Sequence, residues 1–98
     1  MKMYRQGEVL LQQVKNLPQN AKKKDNVLAR GEATGHRHMM RGQAQVFATE
    51  DAQYVQVEGE SQLIHEEHKP ITVEEGIYKV VIQREYDLLR DEVRKVMD

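Results

Sequence analysis

All four histidines of the chain fall in two short clusters. His36 and His38 belong to a Gly-His-Arg-His sequence, and His65 and His68 begin and end a His-Glu-Glu-His sequence. Residues two apart in a β-strand project from the same face, with their backbones about 6.6 to 7 Å apart, so that His36 and His38 can converge on one ion. Imidazole nitrogens are ligands for divalent transition metals. The sequence therefore predicts a metal site built from these four histidines.

The second cluster can join this site only where the chain bends. A spacing of three places His65 and His68 on opposite sides of a straight strand, and Pro70 favours a local departure from a straight strand. Without a bend, only one of the two histidines can join. Glu66 or Glu67 is expected to complete the coordination sphere, or to act as a general base on a metal-bound water in a hydrolytic reaction. Zn, Mn, Fe, Ni and Cu all suit such a ligand set, so the metal stays open.

Two other interpretations compete with a metal site. Imidazoles beside Arg37 and Lys69 supply donors for phosphate recognition, and histidines in a polar chain are often merely solvated or lie at a subunit contact. At the far end of the sequence, Arg84 and Tyr86 share one strand face and form a candidate binding pair for a carboxylate or phosphate ligand. A salt-bridge network at the strand end is the alternative for that pair.

Composition excludes several functional classes. The chain has no cysteine, which rules out disulfides, thiolate-metal sites and thiol nucleophiles. Its 15 basic residues nearly balance 16 acidic ones, which argues against a protein that coats nucleic acid, although Lys22, Lys23 and Lys24 keep a local contact open. Phosphate-binding glycine loops and nucleophile elbows are absent from the sequence. Without a signal peptide or apolar span, a cytoplasmic location is expected.

Hydrophobic periodicity predicts one mainly β domain over residues 1–98. At 98 residues and 39% hydrophobic content the core must be thin, which favours a homo-oligomer that joins sheets across subunits. We expect an antiparallel β-barrel or sandwich of about six to eight strands and a short C-terminal helix. The predicted strands are 3–14, 27–34 with an extension over 37–40, 43–48, 53–57, 61–65, a strand near 71–73, and a long central strand over 77–86. Turns are predicted at 49–52 and 58–60, a loop at 16–26, and the helix at 87–98.

Four segments carry a resemblance to known proteins. Residues 5–11 (RQGEVLL), 31–38 (GEATGHRH), 65–71 (HEEHKPI) and 83–87 (QREYD) together resemble a family of small uncharacterised bacterial and phage proteins, which implies no activity. The order of His36, His38 and a later histidine, His65 or His68, also resembles the site of cupins, small β-barrels. That resemblance implies a shared metal centre.

Two functions are therefore expected from the sequence. The first is a metal- or ligand-binding β-domain, with metal-assisted hydrolysis as the reaction if the protein is an enzyme. The alternative is a non-catalytic interaction or assembly module, phage- or plasmid-encoded, whose strand edges and terminal helix join subunits or engage another protein.

Overall fold

The computed structural model describes residues 1–31 and 34–83. Within these ranges all regular structure is β, and no helix is long and apolar enough to cross a membrane. The predicted helix at 87–98 and the pair Arg84 and Tyr86 lie outside the described residues. The eight strands are β1 (Met3–Gln6), β2 (Val9–Val14), β3 (Lys22–Lys24), β4 (Val27–Arg30), β5 (Arg37–Ala48), β6 (Gln53–Ile64), β7 (Ile71–Val73) and β8 (Gly76–Ile82).

The strands form one antiparallel sheet in the order β1-β2-β8-β6-β5-β3, with β4 paired to β5 and β7 paired to β6. The mainly β, antiparallel prediction is confirmed, as is the central position of β8, which lies between β2 and β6. Within the described part of the chain β1 and β3 remain the two ends of the order, so the sheet is not a closed barrel and that form of the prediction is wrong. The sheet curls instead, which brings β1 into contact with β7.

A long hairpin of β5 and β6 organises the sheet. The turn at 49–52 is confirmed, and there Thr49 Oγ1 accepts hydrogen bonds from the N–H groups of Asp51 and Ala52. The turn predicted at 58–60 is wrong, because β6 continues through it to Ile64. A register shift opposite Gly42 absorbs the extra residues as a β-bulge. Gly42 has a φ of 101°, and a side chain there would collide with the carbonyl of Glu60.

Two further predictions are corrected near the N-terminus. The single strand expected over 3–14 is a hairpin of β1 and β2, because Gly7 adopts a φ of 58° and reverses the chain. The loop expected over 16–26 contains the short strand β3, which pairs with β5. Its lysines are compatible with a strand because β3 lies at the edge of the sheet, where charged side chains face solvent and discourage further pairing.

The inner face of the curled sheet carries one contiguous hydrophobic core. Tyr78 is fully buried in it, packs edge-on against Tyr4 and donates a 2.7 Å hydrogen bond from its hydroxyl to the Glu74 carbonyl. The buried apolar residues are Val9, Leu11, Leu28, Ala29, Met40, Ala44, Val46, Val55, Val57, Leu63, Val73, Tyr78 and Val80. Three polar residues are buried beside them in the described part of the chain, namely Gln6, His38 and Ser61. Gln6 and His38 are hydrogen-bonded to each other at the histidine clusters.

Candidate metal centre

The pairing of β5 with β6 brings the two histidine clusters together. Met39 and Ile64 are the last paired residues at this end of the hairpin, so His38 and His65 face one another one step further along. His38 shares the inward face of β5 with Met40, and its side chain is only 3% exposed. The rings of His38 and His65 lie 4.3 Å apart between centroids. Strand register alone therefore explains why residues distant in sequence share one location.

His68 reaches the same location because the chain bends after β6. Residues 66–68 form bends, as the sequence requires for His65 and His68 to act together. The ring of His68 lies 5.7 Å from that of His38 and 4.7 Å from that of His65. One nitrogen from each of the three rings falls within 4.8 Å of the others. Tetrahedral zinc with Zn–N bonds of about 2.0–2.1 Å needs its ligating nitrogens about 3.3 Å apart. The three ring nitrogens must therefore move closer together to bind zinc.

His36 belongs to a neighbouring group rather than to the same one. Its ring lies 5.6 Å from that of His65, and His36, His65 and Glu66 offer ligand atoms within 4.8 Å of one another. Its Nδ1 is buried and lacks a hydrogen-bond partner in the described structure, although Glu67 Oε1 lies 3.3 Å away. That contact becomes an ion pair only when the imidazole is protonated. The four histidines thus form two overlapping groups that share His65.

Gln6 determines which ring nitrogen of His38 carries the proton. Its side-chain nitrogen donates to the carbonyls of Leu63, at 3.0 Å, and Lys69, at 2.9 Å. This fixes the amide orientation, so the Gln6 oxygen is the atom that lies 2.9 Å from His38 Nδ1. An amide oxygen can only accept, so Nδ1 must carry the proton. The Nε2 lone pair of His38 is therefore left for a ligand, which is the usual arrangement of a metal-binding histidine.

Burial keeps His38 neutral. Desolvation, aided by the nearby His65 and His68, lowers the pKa of His38 from its usual 6.5 to about 4. A metal ligand must be unprotonated, and every proton that competes with the metal weakens binding. At neutral pH this imidazole therefore presents its lone pair without first losing a proton.

His65 is oriented differently. Its Nδ1 accepts a 3.0 Å hydrogen bond from the backbone N–H of Glu67, so the neutral ring carries its proton on Nε2. Binding a metal through either nitrogen would require His65 to give up this hydrogen bond. The net cost of one such bond is about 0.5–1.5 kcal/mol. Structural zinc sites gain about 10–16 kcal/mol, so this cost does not decide whether metal binds.

The three histidines open onto a cavity of about 490 Å³. Its other described lining residues are Arg5, Gly7, Glu8 and Gln83. Gly7 permits the close approach of the rings, since a Cβ there would lie 2.8 Å from His68 Nε2. The cavity thus joins a cluster of nitrogen ligands to space for a small molecule.

Glu66 and Glu67 lie beside this cavity but do not line it. Glu66 Oε2 accepts a 2.8 Å hydrogen bond from the Arg37 N–H, and this bond lowers the pKa of Glu66. A carboxyl group held ionised in this way is a weaker base. Through this hydrogen bond Glu66 connects the second histidine cluster to the first. The general-base role of both glutamates stays a prediction from the sequence.

Several residues of this centre were missed by reasoning from residue types. Gln6, Gly7, Arg5 and Glu8 contribute to it from the β1–β2 hairpin, and Gln83 follows β8. No local pattern marks a glutamine as the partner of a distant histidine. The available signal was the resemblance, since each of its four segments contributes a described residue to the cavity, namely Arg5, His38, His65 and Gln83.

Comparison with known proteins places the chain in a family. Neither the curated proteins nor the solved structures include a significant match to it. The family model described as a domain of unknown function, DUF8820, matches residues 5–83. That range extends from Arg5 to Gln83 and contains all four histidines and Gln6. The chain therefore belongs to the DUF8820 family of domains of unknown function.

Proposed function

We propose that this protein is a small metal-binding β-domain that holds one divalent transition-metal ion between His38, His65 and His68. The observation that carries the proposal is the Gln6–His38 hydrogen bond, which places the proton on Nδ1 and so leaves the His38 Nε2 lone pair for a ligand. A histidine that is merely solvated needs neither burial nor a hydrogen bond that fixes its tautomer, and His38 has both. Its partners within 4.8 Å are two more imidazoles. This combination is the chemistry that a metal ligand needs.

A metal ion held by three protein ligands keeps a coordination position for an exchangeable ligand such as water. Structural zinc sites are closed by four protein ligands, whereas catalytic sites use three and keep a position for water or substrate. The adjoining cavity supplies that space. Imidazole ligands suit Zn, Cu, Fe and Ni better than Mg or Ca. We therefore propose an open, solvent-accessible transition-metal site.

Two of the segments that carry the resemblance to small bacterial and phage proteins supply the ligands in this proposal. The Gly-His-x-His segment provides His38, and the His-x-x-His-x-Pro-Ile segment provides His65 and His68. The cupin resemblance supports only the arrangement of three histidines around one metal ion, and not the topology of the sheet. Hydrolysis through a metal-bound water is the reaction that such a centre would support, because the metal lowers the pKa of its water.

Metal analysis tests the proposal. Protein purified without a histidine tag is stripped with a chelator, and zinc binding is then measured by competition with a chromophoric chelator. One tightly bound ion per chain is expected in the wild type, with a loss of at least tenfold in affinity for His38→Ala and for His68→Ala. Glu74→Ala, a change in an exposed residue that follows β7 and belongs to neither histidine group, is the control for surface effects and should bind zinc like the wild type. Wild-type protein without a tight site, or histidine variants that bind equally well, would contradict the proposal.

Self-association is the second candidate function. Strand β1 ends the sheet order, and it carries Met3, a large apolar residue that is 59% exposed. An edge strand with an exposed apolar side chain can pair with another chain. Light scattering after size exclusion should then report an oligomer that Met3→Lys reduces to a monomer, whereas a monomeric wild type would exclude this candidate.

A further inference from the structure

Arg5 brings a positive charge to the cavity next to the histidines, and the proposed metal site gives this residue no role. Arg5 lines the cavity together with His38, His65 and His68. No salt bridge in the described part of the chain includes Arg5. Its guanidinium is nevertheless held in place, because Nε donates to the Gly7 carbonyl at 3.3 Å and Nη2 donates to Gln83 Oε1 at 3.2 Å. These two hydrogen bonds orient the guanidinium beside the histidines.

The anchored guanidinium retains the means to bind a ligand. Arginine has five N–H donors in a planar fork, and the two anchoring bonds use two of them. The remaining donors match the paired oxygens of a carboxylate or phosphate. Because Nε and one Nη are fixed by neighbouring groups, little side-chain entropy remains to be lost when such a ligand binds.

The charges of the cavity favour an anion. A divalent ion on three neutral imidazoles and the Arg5 guanidinium together bring three positive charges. Glu8 is the acidic residue among the described lining residues, and it offsets one of them. A net positive charge therefore remains in a site of about 490 Å³, within the range of roughly 300–1,000 Å³ that is typical of small-molecule pockets.

We propose that the metal centre binds a small oxyanion, a carboxylate or phosphate group, which takes an open metal position with one oxygen and accepts hydrogen bonds from Arg5 with another. This inference rests on the proposed metal site. It names the ligand class of that site and assigns Arg5 as its specificity-determining residue. Gln83 is a positioning residue that acts through Arg5.

Cobalt-loaded protein provides the test, because visible absorption bands of Co(II) respond to a change of its ligands. Inorganic phosphate and acetate are titrated separately, so that the two arms distinguish the phosphate from the carboxylate. Saturable spectral change is expected with at least one anion. Arg5→Gln should weaken that binding by about 10- to 100-fold, the loss expected for a charge-assisted hydrogen bond.

The chain supplies a matched control. Arg41 also donates from Nη2 to a glutamine oxygen, that of Gln62, and it lines a different cavity without histidines. Arg41→Gln should leave anion binding unchanged. Cobalt content is measured for each protein. If Arg5→Gln holds cobalt and binds anions like the wild type, or if neither anion changes the spectrum of the cobalt-loaded wild type, the oxyanion proposal is overturned while the metal site stands. Wild-type protein that binds no cobalt overturns both proposals.

Discussion

Gln6 and His38, 32 residues apart in sequence, meet through a 2.9 Å hydrogen bond in the protein interior. Both side chains are only 3% exposed. The same Gln6 amide ties β1 to the carbonyls of Leu63 and Lys69, on either side of the second histidine cluster. A single side chain therefore positions both clusters relative to each other.

Replacing Gln6 tests its role as the partner of a metal ligand. Gln6→Ala removes the acceptor that holds the His38 tautomer, and we expect zinc affinity to fall by about 10- to 100-fold, the usual effect of losing such a partner. Some stability is lost as well, since the Leu63 and Lys69 carbonyls lose their donor. Zinc affinity is measured by chelator competition. Gln53→Ala is the control, because Gln53 also donates to a backbone carbonyl, that of Leu28, but does not line the histidine cavity. Equal zinc affinities in the two variants would refute the role of Gln6.

The lowered pKa of His38 predicts a pH dependence of folding in metal-free conditions. Its pKa is about 4 in the folded protein and about 6.5 when the chain unfolds. Between these values the unfolded chain binds a proton that the folded state does not, so stability falls as the pH drops from 6.5 to 4 and this contribution levels off below. The loss is at most about 3 kcal/mol. Urea unfolding with a chelator present, compared between wild type and His38→Gln, isolates it. If the variant shows the same slope over this window, His38 does not titrate as inferred.

Gly7 is predicted to matter for the site and not only for the turn. In Gly7→Ala the new methyl group would lie 2.8 Å from His68 Nε2, so the His68 ring must shift relative to His38 and His65. We expect zinc affinity to fall several-fold. Gly35→Ala is a matched control, because Gly35 has a similar φ of 72° and its added Cβ would meet nothing within 4 Å. Both variants should lose about 1–2 kcal/mol of stability from backbone strain, as measured by urea unfolding. A Gly35→Ala protein with the same zinc defect would show that strain alone is responsible.

The two overlapping histidine groups predict an order among alanine variants. His65 belongs to both groups, whereas His36 belongs only to the group with Glu66. Zinc affinity should therefore fall strongly in His65→Ala and by less than threefold in His36→Ala. Calorimetric titration of both variants measures this order. A loss in His36→Ala as large as that in His65→Ala would instead move the principal site to His36, His65 and Glu66.

The sequence was sufficient to predict the features of the fold and of the site that depend on local patterns. Alternation of polar and apolar residues located the hairpin around the turn at 49–52 and the central strand β8, and histidine spacing identified the two clusters. Spacing and Pro70 also indicated that His65 and His68 can act together only if the chain bends between them, and the structure contains that bend. Local patterns failed where tertiary context decides, since the lysines of β3 pair only because β5 presents an open edge there.

The arrangement of the site could not be predicted for the same reason. The meeting of His38 with His65 depends on the register of β5 and β6, and that register includes a bulge opposite Gly42. The contribution of Gln6 depends on how far the sheet curls, which brings β1 to the end of β6. Curl and register are properties of the whole sheet, and no single segment encodes them.

X-ray absorption at the zinc edge tests most directly whether one ion is held by His38, His65 and His68. For the zinc-loaded wild type we expect three imidazole ligands at about 2.0–2.1 Å, identified by the scattering of their ring carbons, and a fourth ligand that is not an imidazole. His68→Ala should show one imidazole fewer. A spectrum without imidazole scattering, or one unchanged by the His68 substitution, would show that the three histidines do not hold the ion.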